Sequence, residues 1–271
     1  MKQRIKALFI SGLLTLTLFG VAAAGPLEDG QAAWLHGDYA TAMRLLLPLA
    51  GQGDAVAQFN LGLMYDDGYG VPQDYKQAAI WYRKAADQGN VLAQAALGLM
   101  YAAGEGRPPD YARAAKWLRK AADQGSAEAQ GALGNLYYHG SGVPQDYARA
   151  AKWRRKSAEQ GSASSQGTLG SMYAAGEGVS QDYVRAVMWY RKAADQGDDL
   201  GQLGLGLMYL AGHGAPQDDL QAYMWLNLAV SKTSNVQIRD LAVRARDLCA
   251  TRMTPAQIAE AQRMASEWVP K

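Results

Sequence analysis

An all-α solenoid of tandem 36-residue helix pairs is the fold class that this sequence predicts, and three recurrences predict it. Trp81, Trp117, Trp153, Trp189 and Trp225 repeat at a step of 36. Tyr65, Tyr101, Tyr137, Tyr173 and Tyr209 keep that step, as do Leu61, Leu97, Leu133, Leu169 and Leu205. A fixed period of this size marks units that bury their apolar faces on one another. Five units cover 54–233 and begin near 54, 90, 126, 162 and 198. A degenerate unit over 25–53 precedes them, because Tyr39 and Gly53 stand 36 residues before Tyr75 and Gly89.

Residues 1–24 read as a signal peptide. Lys2, Arg4 and Lys6 form a positive start, Leu8 to Phe19 an apolar run, and Ala22-Ala23-Ala24 a small-residue cleavage site before Gly25. The run is too short for a comfortable membrane span, so no stable membrane insertion is expected after cleavage, and a periplasmic or secreted location is. The leader also biases the charge. The whole chain has 27 Lys and Arg against 25 Asp and Glu; without the three leader cations 24 basic residues face 25 acidic ones. That balance leaves no electrostatic footprint for nucleic acid. Cys249 is the single cysteine, so the fold must stand without an internal disulfide.

Within each unit the first helix is expected near 55–66 and the second near 75–87. Asp74, Asp110, Asp146, Asp182 and Asp218 stand where a second helix needs its N-cap. Gly89, Gly125, Gly161 and Gly197 stand where it ends. Between the helices lies Gly68-Tyr69-Gly70-Val71-Pro72, and the fourth full unit has Ser180 where the others have Pro. Gly62, Gly98, Gly134, Gly170 and Gly206 recur inside the first helix, where Gly costs roughly 1 kcal/mol against Ala. A repeated cost implies a repeated close approach by a neighbouring helix. Beyond the units, 234–271 reads as a C-terminal cap of two helices, the second opened by Thr254-Pro255-Ala256-Gln257 as N-cap, N1 proline and capping-box glutamine.

Ala57-Gln58, Leu61-Gly62, Tyr65, Gly68-x-Gly70-Val71-Pro72, Asp74-Tyr75, Ala78, Trp81-Tyr82 and Lys84-Ala85-Ala86 resemble the Sel-one-like repeat (SLR) family, a relative of the tetratricopeptide repeat. The resemblance implies a right-handed superhelix of antiparallel helix pairs whose concave face binds proteins or peptides. Cysteine-rich secreted members are associated with β-lactam binding or hydrolysis. They carry a Cys pair in each repeat, which this chain lacks, so a cell-wall or β-lactam activity is the alternative reading.

No catalytic, metal or cofactor signature stands out. His36, His139 and His213 share no ligand spacing, and there is no S-x-x-K or G-x-S-x-G. The Gly-x-Gly loops follow helices and lack a P-loop lysine. Asp66-Asp67, Asp198-Asp199 and Asp218-Asp219 read as solvated caps and helix ends, and Cys249 as a buried structural thiol. The expected activity is therefore non-enzymatic partner binding.

Where the partner docks follows from the helical period. Ala57, Gln58, Leu61, Gly62, Met64 and Tyr65 share one side of the first helix, in slots that vary little. Val56, Phe59, Asn60, Leu63 and Asp67 share the other, in slots that vary widely. The expected groove residues are Phe59, Asn60, Leu63, Asn135, Thr168, Ser171 and Leu203, an arc suited to a peptide or a partner's helix. Trp153 is expected to be core. Arg154, in a slot held elsewhere by Tyr or Leu, is expected to matter far less to stability, and the Lys- and Arg-rich second helices to face solvent.

Overall fold

A computed structural model describes residues 25–270; the expected leader lies outside them. The described chain is helical, with no strand. The first helix pair is α1 (Pro26–Leu35) and α2 (Tyr39–Gly51). Five pairs follow: α3 (Ala55–Asp67) with α4 (Tyr75–Asp87), α5 (Val91–Ala103) with α6 (Tyr111–Asp123), and α7 (Ala127–His139) with α8 (Tyr147–Glu159). The last two are α9 (Ala163–Ala175) with α10 (Tyr183–Asp195), and α11 (Asp199–Ala211) with α12 (Asp219–Lys232). The closing helices are α13 (Val236–Ala250) and α14 (Pro255–Glu267). No described helix is long and apolar enough to cross a membrane.

The helix ends follow from local chemistry. Asp74 caps α4 by accepting from the Lys76 and Gln77 amides at 2.8 and 3.1 Å. Asp110, Asp146, Asp182 and Asp218 each accept from the amide three residues on. An oxygen there satisfies a backbone donor that the helix leaves orphaned. Gly68 ends α3 at φ 74°, in the left-handed region that glycine enters at least cost, and Gly70 follows at φ 72°. The Thr254–Gln257 capping box is formed in both directions.

The chain divides after Ala129 into two compact units. In the N-terminal one each helix from α1 to α6 packs on the next. The recurring first-helix glycine is where the second helix presses closest: a Cβ at Gly98 would lie 2.7 Å from Leu118 Cγ, and one at Gly62 would overlap the Tyr82 ring. A glutamine ladder, whose role the repeat pattern did not reveal, ties one pair to the next. Gln58 Nε2 donates to the Ala50 carbonyl at 3.0 Å while its Oε1 accepts from Gln88 at 2.8 Å. Gln94 does the same with Ala86 and Gln124. Each rung satisfies a buried amide at both ends.

Asp66 corrects the expectation of solvated acid pairs. It is 8% exposed and accepts from the Tyr82 hydroxyl at 3.1 Å. Burial, with Glu105 repelling in the same direction, pushes its carboxyl up to about 7 against the Tyr82 hydrogen bond. The folded state therefore holds an extra proton between the ordinary carboxylate range and pH 7. The contribution of Asp66 to stability is greatest at low pH, falls as pH climbs through that window and levels off above it. The shift caps this loss at about 4 kcal/mol. Asp66→Asn keeps an acceptor for Tyr82, and it is expected to stabilise the chain by about 2 kcal/mol at pH 8 and by nearly nothing at pH 4. Urea melts of both proteins at the two pH values check this; an equal effect at both would refute the buried-acid account.

In the C-terminal unit α8 to α12 pack in sequence, α9 also touches α11, and α12 carries α13 and α14. The ladder continues from Gln160 to Gln130 and from Gln196 to Gln166, both at 2.8 Å. It stops at Gln202, which is fully buried with neither amide atom bonded. The ladder's donor slot is here Lys232, whose ammonium instead lies 4.3 Å from the Trp268 ring centroid. Cys249 is fully buried, and burial pushes its thiol up to about 11, so it is no thiolate nucleophile at neutral pH.

Candidate functional site

The structure separates the expected groove residues into two groups. Phe59, Asn60, Leu63 and Leu203 are 4, 2, 1 and 5% exposed, so these four lie within the packing and not on a groove wall. The reason is geometric. An isolated helix has two sides, but a first helix flanked by other first helices is covered on both edges as well as beneath. Slot 59 faces that lateral neighbour: a Cβ on Gly131 would lie 2.9 Å from Ser165 Oγ, and Phe59, Ala95 and Leu203 are buried in the same slot. The Phe59 ring sits 5.8 Å from that of Tyr82. Since α3 packs on α2, α4 and α5, slots 60 and 63 are closed in it too.

The second group remains accessible, and all of it belongs to the C-terminal unit. Asn135 on α7 is exposed, and Thr168 and Ser171 on α9 are half-buried. Two of the three are held by side chains from beneath, from the slot whose other occupants are Tyr82, Leu118, Tyr190 and Leu226. Arg154 Nη2 donates to Asn135 Oδ1 at 3.3 Å, and the Tyr190 hydroxyl donates to Ser171 Oγ at 3.0 Å. Thr168 Oγ1 donates to the Ser164 carbonyl at 2.9 Å. The polar tips of second-helix residues thus pass between first helices and emerge on the open face, which a first-helix wheel cannot reveal.

Arg154 is the anomalous member. Its stem lies against Gly134, where a Cβ would come 3.0 Å from Arg154 Cγ. Its Nε is shut from water with no partner, and burial pulls the guanidinium pKa down to about 10, opposed by the charge of Asp198. The expectation that Arg154 is a peripheral residue is corrected: it occupies the core slot of its unit. A half-buried cation with one long hydrogen bond keeps donors to spare, since guanidinium offers five. It can receive a carbonyl or carboxylate that reaches the open face between Asn135 and Ser171.

The other chemistry-bearing residues stay apart. His36 donates from Nδ1 to the Ala32 carbonyl at 2.7 Å, His139 stands edge-on to Tyr138 with centroids 5.1 Å apart, and His213 stacks on Tyr183 at 4.5 Å. Among the described residues no three His, Cys, Asp or Glu gather where they could hold a metal ion. Asp198 caps α11 by accepting from the Gly201 amide at 2.8 Å, and Asp219 pairs with Arg252.

The comparisons with known proteins fit this architecture. The Sel1 repeat model matches residues 55–90, 91–126, 127–162, 163–198 and 200–234. A Sel1 repeat protein from Oxalobacter formigenes is 33% identical, with a TM-score of 0.78 over 89% of this chain and 97% of that one. A protective antigen present in uropathogenic Escherichia coli strains, itself displaying an SLR fold, is 39% identical with a TM-score of 0.75. That match covers 89% of this chain and 53% of the antigen, so this chain spans about half its length. No curated protein matches the chain. Five consecutive matched repeats on an all-α solenoid of helix pairs place the chain in the Sel1 repeat family.

Proposed function

We propose that this chain is a non-catalytic, exported adaptor that binds a protein or peptide partner on the open face of α7 and α9, around Arg154. The observation that carries the reading is the charge in a core slot. Where four other units place Tyr or Leu, this one keeps a half-buried guanidinium whose Nε is shut from water and unbonded. Burying a cation costs more than burying Leu, and such departures from packing logic belong at functional sites. Thr168 and Ser171 extend the surface with small side chains that let a peptide backbone approach. Repeats of this family generally mediate protein interactions, which agrees. Export rests on the Lys2/Arg4/Lys6 start, the apolar run and the small residues before Gly25. N-terminal sequencing from the envelope fraction is expected to read from Gly25; an intact Met1 on protein from the cytoplasm would defeat export.

The binding test begins with affinity capture from an envelope extract and identification of the partner by mass spectrometry. Thr168→Arg and Ser171→Arg fill the open face with bulk and charge. Each is expected to weaken partner binding at least tenfold, about 1.4 kcal/mol, while circular dichroism and melting stay as in the parent. Lys152→Glu, on the exposed side of α8, is expected to bind normally. Normal binding by both open-face variants together with loss in Lys152→Glu would move the site to the second helices.

A further inference from the structure

On the other side of α9 from Thr168 lies a pocket of about 450 Å³ lined by Arg155, Tyr173, Val179, Ser180, Gln181, Asp182 and Arg185. Two guanidiniums flank one phenol there: the Arg155 and Arg185 carbons lie 6.0 and 5.6 Å from the Tyr173 ring centroid. Arg155 Nη2 donates to the Tyr173 hydroxyl at 2.8 Å. This much is partly repeat chemistry, since Arg191 likewise donates to the Tyr209 hydroxyl.

Two departures from the repeat meet at this pocket. The first is Ser180, in the slot that Pro72, Pro108, Pro144 and Pro216 hold elsewhere. Serine removes a pyrrolidine ring from the wall and supplies a hydroxyl and a backbone N–H, two donors that proline lacks. The second is the ion pairing of Arg155. Its counterparts Arg83 and Arg119 pair with Asp87 and Asp123 one turn on, at 3.0 and 3.2 Å. Arg155 has Glu159 in that position and forms no ion pair among the described residues. Within the pocket Asp182 is balanced by Arg185 at 3.3 Å, which leaves one uncompensated positive charge.

We infer that this pocket binds a carboxylate group presented by an acidic peptide. One guanidinium outside any ion pair, with the Ser180 hydroxyl and the Ser180 N–H at the same wall, matches a single negative charge with two acceptor oxygens. A guanidinium fork meets a planar carboxylate in a bidentate way, and the Tyr173 ring holds that fork in place. A phosphate dianion fits less well, because Asp182 would face its second charge. The site is separate from the Arg154 face, so it stands whether or not that face binds a partner.

Calorimetric titration of the mature chain at low salt tests this with three probes: triglutamate, triglutamine and inorganic phosphate. Saturable one-to-one binding of triglutamate is expected, with none for triglutamine and weaker binding for phosphate. Ser180→Pro is expected to weaken triglutamate at least tenfold; its fold is safe because four sister loops carry that proline. Arg155→Gln, at an exposed position, is expected to do the same without altering the melt. Arg191→Gln, which keeps an Arg–Tyr pairing beside Pro216 from forming, is expected to bind as the parent does. Failure of triglutamate to saturate, parental affinity in Ser180→Pro, or equal losses in Arg155→Gln and Arg191→Gln would overturn the pocket. Tighter binding of phosphate would overturn its assignment to a carboxylate.

Discussion

Truncating Trp153 to alanine is expected to destabilise the chain by about 3–5 kcal/mol, whereas replacing its neighbour Arg154 by leucine is expected to stabilise it by about 1–3 kcal/mol. Trp153 is 6% exposed on α8, and its indole also carries the Lys156 ammonium 4.8 Å from the ring centroid. Truncation removes the apolar area and leaves a hole between helix pairs that tightly packed neighbours close only in part. Arg154 is the reverse case. Leu118 and Leu226, its counterparts, are fully buried against the same glycine slot, so leucine already has a tested fit there. The change removes an unbonded Nε and a half-buried charge. It also removes the group on which the proposed site depends, so Arg154→Leu is expected to melt higher and to lose partner binding at least tenfold. Urea denaturation and binding to the captured partner measure the two effects on the same protein. A leucine variant that is less stable than the parent would show that Arg154 is held by contacts stronger than its single bond to Asn135.

Much of the architecture was legible because its causes are local and repeated. Asp74 and its counterparts cap the second helices, Gly68 ends the first, and the Thr254–Gln257 box opens the last helix, each as residue chemistry requires. The glycine inside each first helix announced a close approach, and the Tyr82, Leu118 and Leu226 side chains supply it. The face available to a partner was less legible. An angular projection of one helix places Phe59 and Leu203 opposite the invariant slots, yet that opposite side includes the edge against the next first helix. Only contact between repeats distinguishes edge from open face. Arg154 escaped for a related reason. Its slot varies among Tyr, Leu and Arg, and variability reads as exposure when chain neighbours are the only guide. The common feature of those side chains is length: all reach past the internal glycine. Asp66 was hidden likewise, because a carboxylate at a helix end reads as solvated until Tyr82 is seen above it.

Gly178→Ala is expected to destabilise the chain by about 3–5 kcal/mol, while Gly161→Ala, at an equally left-handed position, is expected to cost only about 1 kcal/mol. Both glycines have positive φ, 68° and 93°. A Cβ in that region costs roughly 1–2 kcal/mol whatever surrounds it, so backbone strain alone predicts similar losses. Their surroundings differ. At Gly161 nothing lies within 4 Å of the added carbon. At Gly178 it would overlap the carbonyl of Tyr147 and lie 2.6 Å from the Ala148 nitrogen. These are backbone atoms at the start of α8, where Asp146 fixes the first turn, so the obstacle cannot rotate aside as a side-chain tip would. The loop after α9 must instead lift from the helix pair below it, which loosens the contact between successive repeats. Neighbour contacts are the main stabilising term in a repeat protein, so the loss should spread beyond the loop. Hydrogen exchange on the two variants separates the cases. Gly161→Ala is expected to lower protection uniformly and slightly. Gly178→Ala is expected to expose the first turn of α8 and the loop at 176–180 ahead of the rest. Equal stability losses in the two variants would show that φ, and not the fit of one repeat on the next, accounts for glycine in this loop.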